Sequence, residues 1–172
     1  FPYTTLFRSR INPHVVNWMF LSKDRHAISV LIQNSKRIYW DAFSENESSI
    51  NYLKQNINKI EWSMLSANPA AMGLLLEYPE RINSRWLCEN TSAIEYLKAH
   101  QNLISWDILS INPAALEFLI KPTNIKKINK TFLALNPIGS NFIVENFDNI
   151  PWDVLSSNPG AITYLKNNID MI

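Results

Sequence analysis

One phrase of eleven residues occurs in three close variants along this chain. It reads LSANPAAMGLL at residues 65–75, LSINPAALEFL at 109–119 and LSSNPGAITYL at 155–165. Similarity at a fixed period of about 20–50 residues is the signature of repeat architectures, in which each unit is one small supersecondary structure. This recurrence therefore limits the fold more strongly than any other feature of the sequence.

The period of the repeat is 22 residues. When the chain is aligned on the apolar residue two places before each tryptophan, it divides into seven units and the first residue of an eighth. The fifth unit is the exception, with 24 residues, and its two extra residues fall in KPTNIKK, which is typical of a loop insertion. The units begin at Val16, Ile38, Ile60, Ile82, Ile104, Ile128, Ile150 and Ile172.

Apolar residues recur at fixed places in the unit. Tryptophan usually occupies the third position, leucine the sixth, and a second apolar pair ends at the sixteenth. The tryptophans could form an exposed aromatic ladder for binding, but we expect them to lie between layers of the fold, because large aromatic side chains dominate protein cores. The predicted structural core comprises Trp18, Trp40, Trp62, Trp106, Trp152, Leu21, Leu65, Leu87, Leu109, Leu133, Leu155, Leu75, Leu97, Leu119 and Leu165.

The ninth position of the unit carries a helix-start signal. It is aspartate in the first unit and asparagine in the other six, and proline follows in four of them. An asparagine side chain accepts a hydrogen bond from a backbone N–H two or three residues on, which is worth about 1 kcal/mol. Proline suits the first helical position, where no N–H is needed. The predicted structural helix caps are Asp24, Asn46, Asn68, Asn90, Asn112, Asn136 and Asn158.

Each unit is therefore predicted to form two short helices joined by a tight Ser-x-Asn turn. Helices of two turns are unstable alone and must pack on neighbouring units. The expected fold is all-α, a solenoid of about seven helix-turn-helix repeats. A leucine-rich repeat has a similar period, but it needs an alternating L-x-L strand that is not present here, and propeller blades need about 40 residues each.

Composition restricts the class of partner. Hydrophobic residues make up 47% and charged residues 18%, which is typical of a globular protein. The net charge is +1, so there is no general electrostatic reason to expect nucleic acid or an anionic membrane as a partner. No apolar run approaches the roughly 18 residues of a membrane span, and we expect a soluble, intracellular protein. The lone Cys88 does not require an oxidising compartment.

No catalytic, metal or cofactor site is predicted. The three histidines, His14, His26 and His100, occupy different places in the unit, so they do not form a ladder of metal ligands. Cys88 replaces a repeat serine, which indicates a packed residue. Glycine motifs for nucleotides are missing. The carboxylates that recur at one repeat position suit the first turn of a helix and not an acid–base pair; they are Asp41, Asp107 and Asp153.

The first nine residues do not follow the repeat. FPYTTLFRS is the frame translation of TTTCCCTACACGACGCTCTTCCGATCT, which resembles a common sequencing-library adapter. We expect residues 1–9 to be an assembly artefact, as a fusion scar would be. Residues 10–172 are then expected to be a single helical repeat array that is truncated at both ends.

The pattern I-x-W-x-x-L-S-x-N-P-x-A-I-x-x-L resembles tandem repeats in large, uncharacterised proteins of nucleocytoplasmic giant DNA viruses. The resemblance covers residues 10–172, and Ser84 and Lys130 depart from it where tryptophan is usual. It implies a helical repeat fold and, for a viral protein, the host cytoplasm. It implies no catalytic residues.

The leading functional hypothesis is a non-enzymatic scaffold that binds a protein partner through variable surface positions, such as Asn51, Glu95, Glu117 and Thr163. A structural spacer or self-associating element is the alternative. A weaker alternative is RNA binding by basic residues expected in the loops before each new unit, although Glu80 and Asp148 interrupt the set. These basic residues are Lys36, Arg37, Lys59, Arg81, Lys126 and Lys127.

Overall fold

The computed structural model describes residues 16–147 and 152–169. The expected artefact at residues 1–9 lies outside the described residues, as do His14, Asp148, Ile150 and Ile172. Within the described part, all regular secondary structure is α-helix or 3-10 helix, and no strand is present. The all-α prediction is confirmed, and the strand-containing leucine-rich alternative does not apply to these residues.

The chain divides into two compact bodies, Phe1–Asn83 and Ser84–Ile172. The boundary lies at the start of the fourth repeat unit, where serine stands in place of tryptophan. In the first body, each unit contains two short α-helices. The α-helices are α1 Trp18–Lys23, α2 Ile28–Gln33, α3 Trp40–Glu45, α4 Ile50–Lys54, α5 Trp62–Ala67 and α6 Met72–Glu77.

The second body has the same alternation of helices. Its described α-helices are α7 Ser84–Leu87, α8 Ile94–Ala99, α9 Trp106–Ile111, α10 Leu116–Leu119, α11 Lys130–Leu135, α12 Ser140–Asn146, α13 Trp152–Leu155 and α14 Ile162–Asn167.

In the described part of the chain, 3-10 turns occur at two places in the unit, and three units contain both. One lies between the two α-helices, as at Glu47–Ser49, Pro69–Ala71, Pro113–Ala115 and Pro159–Ala161. The other follows the second α-helix, at Ser35–Arg37, Ile57–Lys59, Pro79–Arg81, Gln101–Leu103 and Ile125–Lys127. The latter segments were predicted to be loops, so the unit has more helical structure than its sequence pattern indicates.

Side chains at the predicted cap positions accept backbone hydrogen bonds. Asn68 accepts from the N–H of Ala70 at 3.0 Å, and its proline neighbour opens the 3-10 turn that leads directly into α6. All seven predicted cap residues, Asp24 among them, accept the same hydrogen bond from the backbone N–H two residues further along the chain. At Asn46, Asn68, Asn112 and Asn158, the cap begins a 3-10 turn that precedes the α-helix.

The second helix of several units ends at an asparagine whose amide caps it. Asn56 donates to the carbonyl oxygen of Tyr52, four residues earlier, at 2.8 Å. A helix leaves its last carbonyl groups without partners, and a side-chain donor there satisfies one of them. The same bond is made at Asn34, Asn146 and Asn168.

The core consists mainly of leucines at the sixth and sixteenth positions of the unit. Of the predicted core leucines, Leu21 and Leu165 are half-buried and the other eight are buried. The five predicted core tryptophans are all half-buried, so they differ from the prediction and lie at the edge of the core. First helices pack on first helices: α1 on α3 and α3 on α5 in one body, and α9 on α11 and α11 on α13 in the other.

Candidate functional site

The cap asparagines also join successive units. The side-chain amide of Asn68 donates to two backbone carbonyls of the preceding unit, Ser44 at 2.9 Å and Asn46 at 3.1 Å. These carbonyls lie at the end of α3, where a helix has no intrahelical donors for them. The same pair of bonds is made by Asn46, Asn112, Asn136 and Asn158.

Each of these asparagines thus uses both ends of its side chain. The oxygen starts the second helix of its own unit and the nitrogen closes the first helix of the previous one. The six asparagines of the set are nearly inaccessible to solvent, with relative exposures of 0–3%. They are therefore structural and cannot contact a ligand.

The repeat serine makes a second link between units. In the first body, the Ser44 hydroxyl donates to the carbonyl oxygen of Trp40 at 2.7 Å and accepts from the backbone N–H of Glu61 at 3.1 Å. Glu61 is the residue before the next first helix, so the hydroxyl fixes where that helix begins. The same double contact is made by Ser22, Ser66 and Ser110.

Replacing Ser44 by alanine is expected to destabilise the chain by about 1–3 kcal/mol, because the partly buried N–H of Glu61 loses its acceptor. Urea unfolding followed by circular dichroism measures the change. The matched control is Ser48→Ala, since Ser48 is exposed and a surface substitution of this kind changes stability by less than about 0.5 kcal/mol. Equal effects of the two substitutions would contradict the hydroxyl link.

Cys88 replaces serine in this second link and keeps its geometry. Its sulfur lies 3.2 Å from the carbonyl oxygen of Ser84 and accepts from the N–H of Ser105 at 3.3 Å. The residue is fully buried. Burial raises the pKa of the thiol, the Ser105 N–H lowers it, and the charge of Glu89 raises it further, with a net upward shift. The thiol is therefore a packed and neutral group.

Alkylation of Cys88 by iodoacetamide at mildly alkaline pH is expected to be roughly tenfold or more slower in the folded chain than in urea, because attack needs an accessible thiolate. Mass spectrometry follows the label. The raised pKa of the Cys88 thiol also predicts how the free energy of unfolding changes with pH. The unfolded chain loses the thiol proton at lower pH than the folded chain, so stability falls as pH rises past the ordinary cysteine range. Labelling at equal rates in both states would overturn this assignment.

Three of the half-buried tryptophans stack on an aromatic residue of the second helix of the same unit. Trp40 and Tyr52 have ring centroids 6.3 Å apart and planes 8° from parallel. Trp106 with Phe118 and Trp152 with Tyr164 are also stacked, at 5.9 Å and 5.8 Å. Sequence reasoning treated these partners only as one half of an apolar pair. Aromatic residues recur at this place of the unit, and that recurrence was the sequence signal for an aromatic edge beside the tryptophans.

Basic side chains lie over two of these tryptophans. The Arg37 guanidinium carbon is 5.3 Å from the centroid of Trp18, and the Lys127 ammonium is 4.5 Å from that of Trp106. Cation–π contacts of this length are attractive and are worth about 0.5–1 kcal/mol when exposed. The six predicted basic loop residues are all exposed, and all of them lie in the 3-10 turns that follow the second helices.

Two open pockets adjoin on the first body. One, of about 320 Å³, is lined by Trp18, Lys36, Arg37, Ile38 and Tyr39. The other, of about 420 Å³, is lined by Ser35, Lys36, Trp40, Tyr52, Asn56 and Lys59. Lys36 belongs to both, so the pockets form one surface, which we call the basic aromatic surface. Its lining combines aromatic rings with basic side chains and is open to solvent.

The predicted partner-contact positions are on the outer side of the second helices. Asn51, Glu95, Glu117 and Thr163 are all exposed. They share the fourteenth place of the unit and differ in chemistry. Glu95 pairs with Lys98 on the same helix, and an exposed pair of this kind contributes little to stability.

The two described histidines lie apart from each other in the unit pattern and make separate contacts. The backbone N–H of His26 donates to the Asp24 carboxylate at 2.9 Å, and the His100 ring stacks on Tyr96 with centroids 4.0 Å apart. Among the described residues, no group of three or more histidine, cysteine or acidic side chains is placed to hold a metal ion. A search of the described helices also finds none with the length and apolarity to cross a membrane.

Comparison with known protein families, with curated proteins and with solved structures gives no match to this chain. The resemblance to giant-virus repeat proteins therefore stays a prediction.

Proposed function

We propose that the protein is a non-enzymatic α-solenoid scaffold that binds a protein partner through its exposed, variable positions. One observation carries this proposal. In most units, the recurring asparagine or serine of the Leu-Ser-x-Asn segment is buried and makes hydrogen bonds to the neighbouring unit. Polar groups committed in this way hold the fold, which supports a structural role for the recurring residues.

The solenoid part of the proposal is supported by the repetition of the same bonds. A stack in which each unit contacts only its neighbours needs the same contact at every junction. The bonds from Asn68 to the preceding unit recur at Asn112 and Asn136 with the same acceptor positions. The exposed fourteenth positions then vary freely, which is what partner recognition on a solenoid requires.

Capture of a partner by the intact chain tests the proposal. The double variant Glu95→Lys/Glu117→Lys reverses charge at two contact positions, and Glu89→Lys/Glu145→Lys reverses it at two exposed positions elsewhere. We expect a protein captured from a lysate of the source cells to be lost with the first variant and retained with the second, while circular dichroism is unchanged in both. Salt-resistant self-association without a captured protein would instead favour the structural spacer.

A further inference from the structure

We propose that the basic aromatic surface binds an acidic, proline-rich segment of the partner in the polyproline II conformation. This inference rests on the proposed role as a protein-binding scaffold and adds the chemistry of the bound segment. The proposed site lies in the first body alone, in the two pockets whose lining includes Trp18, Lys36, Tyr39, Trp40 and Lys59.

The charge on this surface is uncompensated. Elsewhere in the first body, Lys23 pairs with Glu45 and Lys54 with Glu77. By contrast, the three cations of the basic aromatic surface form no ion pair with any carboxylate in the described part of the chain. These are Lys36, Arg37 and Lys59. Their surface therefore favours an anionic occupant.

The total charge argues for a peptide and against a nucleic acid as that occupant. The chain has 16 basic and 15 acidic side chains, so the few cations here are a local feature and not part of a broad positive field. A nucleic acid needs many phosphate contacts to bind at physiological salt. A peptide with carboxylates needs fewer such contacts. The guanidinium of Arg37 lies over Trp18 and still offers N–H donors at its edge for a carboxylate.

The repeat places two of the cations at equivalent positions. Arg37 and Lys59 hold the same place in successive units, so we expect their positions to be about one helix-packing distance apart, about 8–10 Å. A polyproline II helix advances about 3.1 Å per residue with three residues per turn, so every third side chain shares one face at about 9.3 Å. In a β-strand, the third side chain on would lie on the opposite face.

The aromatic walls suit the residues between the acidic positions. Proline-rich peptides dock on aromatic grooves because their extended conformation is already formed before binding. Tyr39 is 51% exposed and lines the smaller pocket, and in the larger pocket the Trp40 ring is stacked on Tyr52, which holds it at the wall. The predicted motif is therefore Glu-Pro-Pro-Glu, with an acidic residue at every third position.

Fluorescence anisotropy of a labelled Glu-Pro-Pro-Glu-Pro-Pro-Glu peptide tests this inference with the intact chain. We expect saturable binding that weakens with salt and falls about tenfold in Lys36→Gln/Arg37→Gln/Lys59→Gln, since exposed ion pairs contribute a few-fold each. The charge-matched control Arg25→Gln/Lys121→Gln/Lys166→Gln, at exposed positions outside both pockets, should bind like the parent chain.

Two further peptides separate charge from conformation. Replacing every glutamate by glutamine should abolish binding, and replacing every proline by glycine should weaken it several-fold because the chain must then be ordered. Equal affinity for the glycine peptide, unchanged affinity of the pocket variant, or no binding of the acidic peptide would overturn the inference. So would preferential binding of oligouridylate that the pocket variant abolishes.

Failure here is distinguishable from failure of the proposed function. A captured protein that depends on Glu95 and Glu117 but not on the three pocket cations would keep the scaffold role and reject this site.

Discussion

Replacing Asn112 by alanine is expected to lower the free energy of unfolding by about 3–5 kcal/mol, far more than the roughly 1 kcal/mol of an ordinary helix cap. The cap bond to the N–H of Ala114 is lost, and the carbonyls of Cys88 and Asn90 in the preceding unit each lose a buried donor. Equilibrium urea unfolding of the intact chain, followed by far-UV circular dichroism, measures the change.

Asn56→Ala is the matched control for this prediction. Asn56 also donates to a backbone carbonyl, but within its own unit, and it is half-buried. Its loss should cost about 0.5–1.5 kcal/mol. If both substitutions cost the same, the bonds between units contribute no more than an ordinary helix-end bond.

The Asn112→Asp variant separates the two roles of the side chain. Aspartate keeps the oxygen that caps the second helix, so a pure cap would tolerate it. It has no donor, however, and its charge would lie beside the carbonyl oxygens of Cys88 and Asn90. We therefore expect this variant to be at least as unstable as Asn112→Ala at neutral pH. It should recover part of its stability as the pH falls and the carboxyl is protonated, because a neutral carboxyl can donate one bond.

The part of the fold that depends on local bonds could be predicted from the sequence. The cap bond of Asn68 reaches only two residues along the chain, so the Asn-Pro pair was sufficient to place it. The bonds to Ser44 and Asn46 join residues 24 and 22 positions apart, and a period does not reveal which side chains face one another. The signal was the nearly constant use of asparagine where serine or aspartate would cap equally well.

The edge of the core was harder to predict for a related reason. Recurrence shows that Trp40 and Trp106 hold equivalent places, but an apolar ring with a fixed place can lie inside the core or at its boundary. Their position at the boundary depends on the stacking partners Tyr52 and Phe118. The cation over Trp106 comes from a 3-10 turn that the pattern predicted as a loop. The stacked aromatic edge therefore became visible only when each folded unit brought these residues together.

Phe43→Ala is expected to cost about 3–5 kcal/mol, the range for truncating a large buried aromatic residue. Phe43 is fully buried at the sixth position of the second unit, where most units have leucine. Its ring lies edge-on to Trp40 with centroids 5.8 Å apart and to Tyr52 with centroids 6.0 Å apart. Thermal and urea unfolding of the intact chain measure the loss.

Phe43→Leu shows which part of that loss belongs to volume and which to aromatic contact. Leucine is the usual residue at this position and fills most of the space, so volume alone should cost less than about 1.5 kcal/mol. The two edge-on contacts add about 0.5–1.5 kcal/mol each where they are strong. Together these contributions predict a loss of about 1–4 kcal/mol, which should be smaller than the loss for alanine in the same assay. Because Trp40 and Tyr52 also line the basic aromatic surface, Phe43→Leu should weaken binding of the acidic proline-rich peptide while the chain stays folded. Unchanged binding would show that the ring of Phe43 does not position that wall.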